Sequence, residues 1–143
     1  MIIAKNIASI IVGWILGSSV NMGLVQLGLV VMPLENAVDP NDMEAFSEVI
    51  GSLDPKFFIF PFLAHALGTM VGATAAYFIA ATHKIKFAMA IGALFFLGGI
   101  AVNMMLPGPV WFTVVDLVFA YFPMAYLGGL IASRWSDKRK VSQ

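Results

Sequence analysis

Apolar side chains run almost unbroken through four stretches of this chain, at 7–32, 57–81, 87–106 and 110–133, and polar residues gather in the gaps between them. Each stretch reaches the length, about 20 residues, that a helix needs to cross roughly 30 Å of hydrocarbon. None alternates polar and apolar positions as a barrel strand does. A lipid core leaves backbone N–H and C=O groups satisfied only in helices or closed barrels. The pattern therefore predicts an all-α polytopic membrane protein, a four-transmembrane-helix bundle that makes one membrane domain of residues 1–143. The first stretch reads as an anchor: it outruns the h-region of a cleaved signal, about 7–15 residues, and meets Glu35 without a small-x-small site.

The gap at 34–56 carries a second, shorter periodicity. Met43, Phe46, Ile50 and Leu53 recur at helical spacing, while Asp42, Glu44 and Glu48 fall on other faces. Asp39 and Pro40 supply an N-cap and a first helical residue, so a short amphipathic helix is expected over 40–52, lying across the mouth of the bundle. Asp54 and Pro55 repeat that signature ahead of the second span, and Pro107-Gly108-Pro109 reads as the tight turn between the third and fourth. Pro123 cannot donate to the carbonyl of Phe119, and Pro61 likewise fails Phe57, so kinks are expected in the fourth and second spans.

Small residues recur every fourth position inside the runs: Gly13 and Gly17 in the first, Gly68 and Gly72 in the second, Ala125 and Gly129 in the fourth. Such stripes let helix backbones approach closely, the main packing device where lipid removes the hydrophobic drive between helices. They are the expected helix-packing residues.

Composition and charge sharpen this picture. With 60% hydrophobic residues, 11% charged and a mean hydropathy of +0.91, a soluble domain is excluded. Seven of the eight bases, Lys5, Lys84, Lys86, Arg134, Lys138, Arg139 and Lys140, fall on one side of a four-span topology. Glu35, Asp39, Asp42, Glu44, Glu48 and Asp54 face Lys56 alone on the other. The positive-inside rule then places both termini, including the basic tail at 134–143, in the cytoplasm of a protein of the plasma (inner) membrane. The lipid bilayer is the expected partner, with a second copy or a larger membrane protein as further partners and no nucleic acid. The absence of cysteine excludes disulfides, thiolate metal sites and redox Cys pairs. No HExxH, phosphate loop or carboxylate cluster is present, so no metal, cofactor or catalytic residue is assigned.

Within the four runs His65 and Asp116 are the only carboxylate, imidazole, amine or guanidine side chains. Spanning segments carry such groups rarely, and mostly at functional positions. By helical rise His65 lies about 12 Å and Asp116 about 9 Å below their outer helix ends. Gln26 at about 9 Å, Asn103 at about 5 Å and Asn21 at about 17 Å join them in the outer half or near the middle. With Thr69, one turn from His65, these residues form a candidate polar pocket open to the outer face. On a continuous helix Asp116 shares a face with Ala120, Pro123 and Leu127, opposite the Ala125/Gly129 stripe, which leaves its meeting with His65 open. The expected function is binding or transport of a small solute, cation or proton. The alternatives are an accessory subunit of a larger membrane complex and a membrane-embedded lipid or quinone enzyme.

Overall fold

The computed structural model describes residues 1–34 and 42–141, and among them every regular element is helical. Six α-helices follow in order: α1 Ile2–Val31, α2 Met43–Val49, α3 Ile59–Ile79, α4 Lys84–Met105, α5 Val110–Phe119 and α6 Phe122–Val141. Four segments, Ile2–Val31, Pro55–Ile79, Lys84–Met105 and Val110–Arg139, are long and apolar enough to cross a membrane. The chain is thus an all-α membrane protein with four such spans, and α2 lies in the connection between the first two.

Local chemistry sets the helix starts on the α2 side. The carboxylate of Asp42 accepts the N–H of Ala45 at 3.1 Å, so α2 begins after Asp42, later than the pattern predicts; Asp39 and Pro40 lie outside the described residues. A single 3-10 turn, Ile50–Ser52, prolongs it. Asp54 then accepts the N–H of Lys56 at 3.0 Å with Pro55 in the first helical position, launching the 3-10 turn Pro55–Phe58 that feeds α3. Both caps satisfy N–H groups that a helix start leaves without partners.

Two spans differ from the pattern. α1 starts at Ile2, because nothing among the first residues breaks a helix. The fourth span is two helices, separated at Ala120 and Tyr121. Pro123 sits second in α6, where a missing N–H costs nothing, and a fresh helix start replaces a kink inside a long one. α6 runs on to Val141, so most of the basic tail is helical.

Small residues decide the packing. α3 is the centre, touching α1, α4 and α6. A Cβ on Gly13 would lie 2.7 Å from the carbonyl oxygen of Gly72, and one on Gly72 would lie 2.6 Å from that of Gly13. Gly17 and Gly68 repeat this reciprocity at 2.6 and 2.8 Å, so α1 and α3 run antiparallel with backbones in contact. Ala73, Ala76, Ala88, Ile91 and Ala125 continue a core of mostly alanine methyls between α3, α4 and α6. Ala125 fills the space that Gly92 leaves open, and Gly129 meets Ile85 and Ala88.

At the opposite end the side chain of Asn6 bridges α1 to the α3–α4 turn. Its Oδ1 accepts from the N–H of Ala81 at 2.9 Å, and its Nδ2 donates to Thr82 Oγ1 at 2.9 Å. His83 completes that turn in the left-handed conformation, φ 45°, a region in which histidine is more common than most side chains.

Candidate functional site

His65 and Asp116, the two residues singled out within the apolar runs, meet. His65, on α3, and Asp116, on α5, approach to 2.8 Å between Nδ1 and Oδ1. The other carboxylate oxygen, Oδ2, accepts the hydroxyl of Tyr121 at 2.8 Å, and that hydroxyl lies 3.0 Å from the same imidazole nitrogen. Asp116 is wholly buried, Tyr121 is 1% exposed, and the side chain of His65 is 16% exposed. Three side chains from α3, α5 and the α5–α6 junction therefore close a triangle of polar atoms inside an apolar bundle.

The helix break makes the triangle possible. On a continuous helix Asp116 and Tyr121, five residues apart, would point about 140° away from each other. Ending α5 at Phe119 and restarting at Phe122 swings the tyrosine back over the carboxylate. α4 makes room for it: a Cβ on Gly99 would strike the Tyr121 hydroxyl. The tyrosine ring rests on Phe96 at 5.9 Å between centroids and on the imidazole at 5.7 Å. Around it Phe62, Phe95, Leu117 and Met124 pack against Ala66 and Ala120.

Proton inventory constrains the roles. A hydroxyl has one proton, and here it is directed to Asp116 Oδ2. Its oxygen is then an acceptor, as is Asp116 Oδ1, so the nitrogen between them is best satisfied as Nδ1–H. That leaves Nε2 as the exchangeable position on the ring, with no protein partner among the described residues. One turn along α3, Thr69 is fully buried and its Oγ1 has no hydrogen-bond partner among the described residues. A buried hydroxyl without a partner is costly, so Thr69 marks a second polar position beside the imidazole.

The remaining candidate residues separate. Asn103 belongs to a neighbouring brace: its Nδ2 donates to the carbonyl of Gly99 at 2.9 Å and its Oδ1 accepts from Thr113 Oγ1 at 2.7 Å. It holds the stretch of α4 that backs Tyr121 and does not touch the triangle. Asn21 packs its Cβ near Gly68 at the α1–α3 contact. Gln26 is exposed on α1, its amide only 3.9 Å from the sulfur of Met22. Depth alone grouped these five polar residues with Thr69, and depth says nothing of the direction in which a helix points a side chain.

Two cavities on the α2 side are apolar. One, about 220 Å³, lies beneath α2 among Gly28, Phe46, Leu53, Phe60 and Leu106; the other, about 440 Å³, lies between the start of α3 and α5. Neither is lined by any of the six candidate pocket residues, because His65 and Asp116 satisfy each other deeper in the bundle. No group of three or more metal-ligating side chains occurs among the described residues.

Tyr121 is the functional candidate that the polar pattern missed, since it reads as an aromatic in an apolar run. Pro123, two residues on, was the available signal. Thr113 and Asn6 were missed for the same reason: single hydroxyls and amides near span ends are common, and only their partners distinguish these. Comparison with known protein families, curated proteins and solved structures finds no match for this chain.

Proposed function

We propose that this protein is a small multi-pass membrane protein that binds or transports a small solute, cation or proton at the His65–Asp116–Tyr121 centre, and that the proton is the species it handles. The observation that carries this reading is the wholly buried Asp116 carboxylate, held by an imidazole and a phenol from two other parts of the bundle. Ionisable groups at such depth are expensive in a membrane and are retained mainly along ion or proton paths. A solute or hydrated cation needs a cavity lined by the polar groups, whereas a proton needs only a chain of hydrogen bonds. Imidazole suits that task because its two nitrogens exchange donor and acceptor roles. Thr69 Oγ1 supports the reading as a second polar position one turn from the imidazole.

In this reading the basic end of the bundle faces the cytoplasm of the plasma membrane and the acidic connection faces outward. Protein reconstituted into vesicles with an enclosed pH dye tests it. Wild type should dissipate an imposed pH gradient, and His65→Ala and Asp116→Asn should each slow it by about a hundredfold or more, the scale of losing a positioned proton-transfer group. No flux above empty vesicles from correctly folded wild type, or equal flux from all three proteins, rules the proposal out.

A further inference from the structure

Serines and threonines inside helices commonly give their hydroxyl proton to a carbonyl three or four residues back, and this chain follows that habit elsewhere. Thr74 donates to the Met70 carbonyl at 2.8 Å, Ser19 to that of Ile15 at 2.9 Å and Ser9 to that of Asn6 at 2.6 Å. Thr69 does not. Its Oγ1 is the one buried side-chain nitrogen or oxygen among the described residues that lacks a hydrogen-bond partner, and the whole residue is buried. The hydroxyl thus forgoes the His65 carbonyl, its local acceptor, and faces the packed interior of the bundle.

On its own face of α3, polar company lies in one direction. One turn toward the helix start stands His65, and the Cα–Cβ bond of Thr69 tilts that way. Toward the helix end follow Ala73 and Ala76, whose methyls pack with Ala88, Ile91 and Ala125. His65 also carries nearly all the exposure of the triangle, 16% of its side chain against none for Asp116 and 1% for Tyr121. With Nδ1 committed to the triangle, Nε2 is the acceptor that remains. A water molecule reaches about 2.8 Å to each partner and so spans polar atoms up to about 5.5 Å apart, the separation of side chains one helical turn apart.

We propose that Thr69 Oγ1 and His65 Nε2 hold a water molecule between them, and that this water is the proton carrier at the exchangeable nitrogen. The site itself follows from the buried hydroxyl and its spacing from the imidazole; the role of carrier rests on the proton reading above. In the resting arrangement the hydroxyl donates to the water and the water donates to Nε2. A hydronium proton arriving at this water passes to Nε2: one O–H bond breaks, one N–H bond forms, and the water is left neutral. Nε2–H then donates to the water and the water to Oγ1, a reversal that a hydroxyl permits because it both gives and accepts. Thr69 is thus a positioning residue that carries the hydrogen-bond chain about 6 Å deeper than the imidazole. The apolar layer of Ala73, Ala76 and Ile91 ends the chain there.

Solid-state NMR of the isotope-labelled full chain in bilayers, with magnetisation started on water, reads the site. Wild type should show rapid transfer to Thr69 and to the His65 ring. Thr69→Val, which keeps the branched shape and deletes the hydroxyl, should reduce transfer to the ring to the level of the Ala73 methyl, and Thr69→Ser should retain it. Valine should also lower the thermal midpoint in mild detergent, whereas replacing a dry hydroxyl without a partner would raise it. No transfer to the ring in wild type, undiminished transfer in Thr69→Val, or a raised midpoint for valine overturns the water site. In vesicles enclosing a pH dye, Thr69→Val should slow flux about fivefold, the scale of one hydrogen bond lost from the path, and Thr69→Ser should restore it. Unchanged flux from Thr69→Val overturns the role of carrier. Absence of flux from wild type would remove the proton reading and the carrier with it, and the transfer measurement would still decide the water site.

Discussion

Asp116 accepts two hydrogen bonds from groups that have few alternatives. Its removal leaves the Tyr121 hydroxyl proton with no acceptor and the His65 Nδ1–H with the tyrosine oxygen alone, whereas removing the tyrosine hydroxyl leaves the carboxylate still bound to imidazole. The two substitutions are therefore unequal. Tyr121→Phe should cost about 1 kcal/mol, the usual worth of a hydrogen bond between spanning helices. Asp116→Ala should cost about 3 kcal/mol, as expected when one partner of a buried pair is deleted. Unfolding by increasing denaturing detergent in bicelles, followed by circular dichroism, measures both; a smaller loss for Asp116→Ala would show that the carboxylate is not the hub. At this scale the sequence exposed His65 and Asp116, because ionisable side chains stand out in an apolar run. It hid Tyr121, because a phenol is as common at an interface as in a core, and hid the contact itself, because side-chain direction depends on where the helix breaks.

At the scale of elements, the glycine stripes and the proline carry most of the information. Gly13, Gly17, Gly68 and Gly72 were readable as a close-packed face, but not as reciprocal partners, since each stripe could equally have met another helix or a second copy. Their pairing makes a sharp expectation. Gly72→Leu puts a branched side chain against the Gly13 carbonyl at 2.6 Å and Ile91 at 3.1 Å, neither of which can retreat without separating the helices. It should destabilise the protein by about 3 kcal/mol or more, at the upper end of overpacking costs. Gly23→Ala, on the partner helix α1, meets nothing within 4 Å and should be neutral or stabilising by up to about 1 kcal/mol through helix propensity. Thermal aggregation midpoints in mild detergent compare the pair, and equal midpoints would mean that α1 and α3 do not pack through these glycines. Pro123 shows the reverse limit. Its missing N–H announces a disturbance, but a kink and a clean restart leave the same trace in sequence, and only the restart turns Tyr121 over Asp116.

For the whole molecule, charge asymmetry is the dominant feature. Lys5, Lys84, Lys86 and the bases of α6 lie toward one end, and among the described residues Asp42, Glu44, Glu48 and Asp54 lie in the first connection at the other. We expect a reporter active only in the cytoplasm to work when fused after Gln143, and a reporter active only outside to work when inserted at Gly51. Shared activity of one reporter at both sites would contradict an even number of spans. Moving bases should shift the balance: replacing Lys84 and Lys86 with glutamine while adding two lysines beside Glu44 should yield a mixed population of orientations, read by protease protection of a tag in right-side-out vesicles.

The architecture lies close to the surface of the sequence. Twenty-residue apolar runs, the helix cap at Asp54 and small-residue stripes each follow from local physics: hydrocarbon thickness, orphan N–H groups and the closeness that a missing side chain permits; the start of α2 after Asp42 rather than Asp39 came from the structure. Four spans and their order need nothing more. The site was legible only as a list of costly residues. Whether His65 met Asp116, and whether Asn103 joined them or braced α4, were decided by helix rotation and by the break at Ala120 and Tyr121. Rotation is set by which faces pack across the whole bundle, a balance of many long-range contacts that no local stretch of the chain contains.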